Sequence, residues 1–137
     1  MSNTTIQDVR AAISSKVTSG GVTCYAYPSA DVPTQLGAEV MLNSFDTAMS
    51  PDQRVIFTGL EFTIAVYQPM QGNYVSAGGY LDASITTVLT SLGADTTLGN
   101  KCRDSAVTGG SVSFHSYASG ALVAVAEIVV HVIPHPA

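Results

Sequence analysis

The segment VIFTGLEFTIAVY, residues 55–67, is the clearest strand in the sequence and decides the fold class. In its second half, apolar side chains alternate with polar or small ones, which is typical of a strand with two different faces. The apolar set is Leu60, Phe62, Ile64 and Val66, and the other set is Glu61, Thr63, Ala65 and Tyr67. We therefore expect one face of this strand to meet a core and the other to carry a carboxylate and a phenol.

Four other segments have the composition of strands, namely residues 22–27, 37–43, 105–117 and 121–133. The short ASG sequence between the last two predicts a hairpin. The final segment is apolar on nearly both faces, so we expect it to be central in the sheet or to bury its second face against a neighbouring subunit.

Two stretches between these strands are predicted to lie outside the sheet. Residues 28–36 contain Pro28 and Pro33, which lack backbone donors, and are predicted to be a connector. Residues 44–54 are rich in turn-forming residues and are predicted to form an exposed loop.

Two helices are predicted by capping signals and apolar spacing. Thr4 and Gln7 have the spacing of a capping box at the start of a helix over about residues 4–17. Asp82 is a good N-cap for a second helix over about residues 82–92. Because Gly78-Gly79 disfavours a single long helix, residues 73–79 are expected to form at most a short helical turn.

The element order is therefore α-β-β-β-α-β-β. It predicts an α+β fold, with an antiparallel or mixed sheet of about five strands flanked by two main helices. At 137 residues the chain fits one domain over residues 1–137, with residues 133–137 as a short C-terminal tail.

Charge is sparse in this sequence. Only 11% of the residues are charged, compared with about 25% in a typical globular domain. A surface with so few charges favours a subunit that is covered in an assembly. The formal charge of −5 and the scattered basic residues argue against binding nucleic acid through its phosphates. No apolar run is long enough to span a bilayer, so no membrane partner is expected.

The sequence predicts no catalytic, cofactor-binding or metal site. Asp46 and Asp52 share a segment with Arg54, but a solvated turn explains them better than an acid pair. Two free thiols are expected, although a disulfide between Cys24 and Cys102 is left open. One alternative from another class is a small enzyme or ligand-binding domain with Cys102 and His115 as its reactive pair.

Several stretches, in this order along the chain, resemble the tail terminator proteins of long-tailed bacteriophages. A helix, TIQDVRAAISSKV, leads into the strand VTCYAYPSADVP, and FDTAM precedes LEFTIAVYQPMQGNYVSAGGYLD. The segment ASITTVLTSLGADTTLGNKCRDSAVTGG then resembles the family's amphipathic helix, its D-x-T-L-G turn and the strand that follows. The resemblance covers nearly the whole chain and rests on the order and spacing of these pieces.

The resemblance implies a structural virion protein, not an enzyme, that acts without a cofactor. Such a subunit forms a ring with copies of itself, usually six, and caps the end of the tail tube. It stops polymerisation of the tail tube protein and presents a surface to the head-side connector or head-completion protein. It would lie at the neck of the virion after assembly in the host cytoplasm, and DNA would pass through its lumen without sequence-specific binding.

Charged and polar-tipped residues on the predicted strands and loop are the candidates for contacts with other subunits or the tube. They are Asp46, Asp52, Arg54, Glu61, Tyr67, Glu127 and His131. A head–tail adaptor or a tail tube subunit is the alternative within the virion.

Overall fold

A computed structural model describes residues 5–29, 33–70 and 74–135. The element order is α1 (Ile6–Gly20), β1 (Cys24–Tyr25), β2 (Gly37–Met49), β3 (Val55–Pro69), α2 (Tyr74–Ala94), β4 (Asp104–Ser116) and β5 (Leu122–Ile133). The five strands form one mixed sheet in the order β1-β2-β3-β5-β4. Only β1 and β2 are parallel, and the other neighbours are antiparallel. The predicted α+β class, element order and strand number are confirmed.

Both helices lie on the same face of the sheet. The core unites α1 and α2 with alternate strand positions, among them Val40, Phe62, Ile64 and Ile128. In α1 the buried positions include Val9, Ile13 and Val17, as the predicted stripe requires. β5 lies between β3 and β4, so its expected central place is confirmed. The described part of the chain places no element over the opposite face of the sheet, which we call the uncovered face.

The helix boundaries differ from the predicted ones. Thr4 lies outside the described residues, and Thr5 is the N-cap of α1, its hydroxyl accepting the N–H of Asp8 at 3.1 Å. The helix ends later than predicted, at Gly20, because Gly21 adopts the left-handed conformation with a φ of 116°.

The second helix is longer than the sequence predicts. It runs without a break from Tyr74 to Ala94, so the interruption expected at Gly78-Gly79 is wrong, and Asp82 lies inside the helix. Its buried positions are three or four residues apart and follow one stripe, formed by Ala77, Leu81, Ser84, Val88 and Leu92. Each glycine costs a helix only about 1 kcal/mol, which burial of this stripe outweighs.

The exposed loop predicted over residues 44–54 is also wrong for most of its length. β2 continues to Met49, and only residues 50–54 form the turn to β3. Pairing explains the difference, since Thr47 lies opposite Phe57 and Met49 opposite Val55. A partner strand supplies hydrogen bonds that turn-forming residues such as Asp46 do not predict.

The connection between β1 and β2 contains the predicted connector. Residues 28, 29 and 33–36 lie outside the strands, and residues 30–32 are outside the described part of the chain. β1 itself has two residues, fewer than the predicted strand over 22–27. At the C-terminal end, His135 donates from Nε2 to the carbonyl of Asn100 at 2.9 Å, so this part of the expected tail is attached to the domain.

The D-x-T-L-G segment after α2 forms a compact turn around one carboxylate. Asp95 accepts the N–H groups of Thr97 and Gly99 at 3.1 and 2.9 Å, and the hydroxyl of Thr97 at 2.7 Å. Lys16 of α1 lies 2.9 Å from the same carboxylate. Lys16 first, and then these donors, hold the pKa of Asp95 well below its usual range. The turn thereby connects the two helices and places the buried Leu98 in the core.

A buried arginine connects α1 to the sheet where β1 ends. Nη1 of Arg10 donates to the carbonyl of Ala26 at 2.7 Å and to that of Val40 at 2.6 Å. The ring of Tyr27 lies against the guanidinium, 4.5 Å from its central carbon. Arg10 is 9% exposed, so the charge is held mainly by these carbonyl groups and the ring.

We expect Arg10→Met to lower the free energy of unfolding by about 2 kcal/mol, because two carbonyl oxygens lose their charged donor. Urea unfolding followed by circular dichroism measures the change. Arg103 is exposed, so the matched variant Arg103→Met removes the same charge and is expected to change stability by less than about 0.5 kcal/mol. Equal stability of both variants would show that the guanidinium does not support the fold.

Candidate functional site

Five of the seven predicted interface residues lie on the uncovered face. Cross-strand pairs fix their side of the sheet, because paired residues of antiparallel strands point to the same face. Glu61 pairs with His131, Ala65 with Glu127, and Tyr67 with Val125, all at positions that alternate with the core residues. The members brought together on this face are Asp46, Glu61, Tyr67, Glu127 and His131.

The uncovered face carries charge of one sign. In the described part of the chain the strands contain no Lys or Arg, and all their carboxylates point to this face. These carboxylates belong to Glu39, Asp46, Glu61, Asp104 and Glu127. A broad surface of one charge sign sets up a potential that attracts cationic partners and repels polyanions.

The densest part of this acidic surface lies near the start of β3. Gly59 has no side chain, and a Cβ placed there would lie 3.1 Å from the carboxylate of Asp46 and 3.4 Å from Nε2 of His131. Glu61, two residues along β3, pairs with His131. Among the residues described, no group of three His, Cys, Asp or Glu side chains is arranged to hold a metal ion. The carboxylates of Asp46 and Glu61 and the imidazole of His131 thus form one polar cluster on the uncovered face.

Tyr67 and Glu39 lie close to each other at the other end of the uncovered face. Burial, followed by the nearby charge of Glu39, raises the pKa of Tyr67 to about 12. Glu39 also accepts the N–H of Ser29 at 3.1 Å, beside the segment that follows β1. Glu39 was missed as a site residue, although its alternation with Ala38 and Val40 in the predicted strand 37–43 indicates an outward position.

The other two predicted residues, Asp52 and Arg54, lie at the tip of a projecting hairpin. β5 pairs with β3 only from Leu60 onward, so residues 45–59 extend beyond the neighbouring strand, and we call them the arm. Nε of Arg54 lies 2.7 Å from the carboxylate of Asp52, and both side chains are more than half exposed. A hydrogen bond from Ser50, and then the ion pair, lower the pKa of Asp52. The exposed pair neutralises the tip and contributes little to stability.

One side of the arm is apolar and exposed. Phe45 and Phe57 meet edge to face, with ring centroids 5.9 Å apart. Met49 and Val55 pair across the arm nearer to its tip, and both are more than half exposed. Because Phe45 pairs with Leu60, which belongs to the core, these side chains lie on the helix side of the hairpin. The loop predicted over residues 44–54 gave no indication of this apolar surface.

The structure separates the two members of the predicted reactive pair. Cys102 precedes β4 and is buried, whereas His115 lies near the far end of β4 and is exposed. A strand advances about 3.3 Å per residue, so the two side chains are roughly 30 Å or more apart. Cys102 and His115 therefore do not form a nucleophile and its base. The prediction of this reactive pair, made for the enzyme alternative, is wrong.

Both cysteines are free and buried. Burial raises the pKa of the Cys24 thiol to about 11, and burial with the nearby Asp104 raises that of Cys102 to about 11. Because the thiolate is the reactive form, both side chains are poor nucleophiles near neutral pH.

Two sequence comparisons give no relative to guide the assignment. No protein-family model matches the chain, and none of the curated proteins matches its sequence. Neither helix in the described ranges combines the length and the apolar character that crossing a membrane requires.

We expect both native thiols to react with a disulfide reagent at pH 8 at least about a hundred times more slowly in the folded chain than in urea, because they are buried and protonated. Absorbance of the released thiolate measures the rate. Ser113 is exposed on β4, so Ser113→Cys provides a fast-reacting control. Rapid modification of Cys102 in the folded chain would contradict this expectation.

Proposed function

We propose that this chain is a structural subunit of a phage virion, which forms a ring with its own copies at the end of a tail tube and stops the tube from growing. The observation that carries the proposal is the uncovered face, where every strand carboxylate of the described chain is gathered without a Lys or Arg. The resemblance to tail terminator proteins supplies the biological setting.

An acidic face suits the wall of a channel through which DNA passes. DNA carries a dense array of phosphates, and a carboxylate-lined wall repels them, so the polymer slides without being held. Glu61 and Glu127 lie on central strands β3 and β5, near the middle of the face. With this face turned toward the lumen, they would line the channel.

The helix side and the arm would then provide the subunit contacts. The arm projects beyond the sheet with apolar side chains on its helix side and an ion pair at its tip. A projecting element that docks on a different surface of the next copy makes a heterologous contact, which generates a ring when the rotation closes. The head-side connector and the tube would meet the two rims of such a ring.

A tail tube subunit is the alternative that shares these features, because it also encloses DNA. The two functions differ in the product of assembly. A terminator forms discrete rings that stay on a tube end, whereas a tube subunit adds ring upon ring.

We expect native mass spectrometry to detect a closed oligomer, most often a hexamer, when the chain is mixed with the tail tube protein of the same virion. Negative-stain images should show single rings, with tubes that are shorter in the presence of the chain. Long filaments of the chain alone would favour the tube subunit. A monomer under both conditions, with tube length unchanged, would contradict the proposal.

The channel wall makes a separate prediction about charge. The double variant Glu61→Lys/Glu127→Lys should bind duplex DNA about tenfold or more tightly than the parent chain at low salt, and added salt should weaken that binding. Fluorescence anisotropy of a labelled duplex measures both effects.

The matched control changes the same charge elsewhere. Asp8 of α1 and Asp82 of α2 are exposed on the helix layer, so Asp8→Lys/Asp82→Lys alters net charge equally. We expect this control to bind the labelled duplex less tightly than Glu61→Lys/Glu127→Lys does. Equal binding by the two double variants would show that net charge alone matters, and would contradict the assignment of the uncovered face to the lumen.

A further inference from the structure

An apolar groove lies on the helix side of the domain, between α2 and the edge strand β4. It has a volume of about 330 Å³. Ile85 and Leu89 of α2 form one wall, and Val107 and Val112 of β4 form the other. We call this surface the α2–β4 groove.

Two glycines create the floor of the groove. Gly109 follows a register shift in β4 and has a φ of 152°, a conformation that other residues rarely adopt. Gly110 lies so close to the backbone of β5 that a Cβ would collide with the carbonyl oxygen of Glu127. The depression therefore follows from the backbone itself and does not depend on the rotamer of one side chain.

The rim of the groove exposes large apolar side chains. Leu89, Val112 and Phe114 are 41%, 52% and 62% exposed. β4 is an edge strand, and among the described residues no strand pairs with its outer side. From Gly109 to Ser116 it contains no Asp, Glu, Lys or Arg. An uncharged edge with exposed apolar side chains on its helix side is a site at which another chain readily binds.

The arm has the complementary shape and chemistry. Its exposed apolar side chains protrude from a two-stranded hairpin, led by the edge-to-face pair of Phe45 and Phe57. A groove of this volume can accept an aromatic ring. The ion pair of Asp52 and Arg54 leaves no net charge at the tip to oppose entry into an apolar site.

Within one chain the arm does not cover the groove. The arm leaves the sheet beyond Leu60 at the start of β3, whereas the groove lies on the other side of β5, beside β4. Phe45 and Val112 are both more than half exposed. Each surface therefore needs a partner from outside, and the same chain supplies both halves of one contact.

We propose that the arm of one copy docks in the α2–β4 groove of a second copy, with Phe57 and its neighbour Phe45 entering beside Val112. Burial of aromatic and aliphatic side chains drives this contact, as at other interface hot spots. Because the arm and the groove are different surfaces, a docked pair keeps one free groove on the first copy and one free arm on the second, so further copies can add. This contact would be the interface between subunits of the proposed ring. The docking inference rests on the proposed function only where it requires the ring to close.

Disulfide trapping tests the contact directly. The variant Phe57→Cys/Val112→Cys should form a ladder of covalent oligomers under mild oxidation, ending at the size of the closed ring. Non-reducing electrophoresis measures it. The native thiols contribute little background, since both are buried with raised pKa values. Phe57→Cys and Val112→Cys alone should yield no ladder.

The matched control moves one cysteine out of the groove. Tyr80 lies on α2, is 62% exposed and stands about half a helical turn from Leu89 around the helix axis. Phe57→Cys/Tyr80→Cys therefore has the same number of thiols and should give no ladder. Independently, Val112→Glu should raise the dissociation constant of the oligomer at least about tenfold, while circular dichroism shows a folded chain.

The outcomes distinguish this inference from the proposed function. Closed rings that fail to cross-link through positions 57 and 112 would overturn the docking contact and leave the ring proposal standing. A ladder that extends without a closed end would support docking and contradict ring closure. A chain that is monomeric at all concentrations, with and without tube protein, would overturn both.

Discussion

The guanidinium of Arg10 is the constraint on which the arrangement of α1, β1 and β2 depends. β1 runs parallel to β2 for only two residues, Cys24 and Tyr25. Beyond that point, where the two strands no longer pair, a single nitrogen of Arg10 donates to the carbonyls of Ala26 and Val40, at 2.7 and 2.6 Å. A buried charge is costly unless it is well hydrogen-bonded. The helix must therefore lie where the guanidinium reaches both carbonyls, and this position covers one face of the sheet and leaves the other uncovered.

Local patterns predict the elements well wherever the deciding signal lies within one segment. Alternation identifies the strand over residues 55–67, and apolar spacing identifies α1. The misses share one cause, which is packing between distant segments. Residues 44–49 precede a cluster of turn formers at residues 50–52 and are predicted to share its loop, yet they pair with β3. Gly78-Gly79 weakens a helix by about 1 kcal/mol per residue, yet α2 packs its stripe against the core along its length. Arg10 could have been recognised, because it falls between Ile6 and Ile13 on the apolar stripe of α1.

Some residues of the uncovered face can be predicted from the pattern of a single strand, and others depend on how the strands pair. Alternation alone places Glu61 with Tyr67, and Glu127 with His131, on common sides of their strands.

Asp46 is different, because its even number matches the core positions Ala38 and Val40, which predicts a side chain on the helix side. A register shift between Leu42 and Ser44 reverses the alternation and places Asp46 opposite Gly59 on the acidic face. The side chain of Asn43, at this shift, donates to the hydroxyl of Thr63 on β3, a contact that no single-strand pattern foretells.

The register shift between Leu42 and Ser44 in β2 also explains why the arm can dock in the groove while the acidic face lines the channel. By reversing the alternation it sends Asp46 to the uncovered face and Phe45 to the helix side. The acidic surface thus continues from the sheet onto the arm, while the apolar side chains of the arm gather on the side where the α2–β4 groove also lies. A contact between arm and groove then uses the helix side alone and leaves the carboxylates free to face a channel. Without the shift, docking would bury Asp46 in an apolar groove at a cost of several kcal/mol, so the bulge is what allows one hairpin to serve both surfaces.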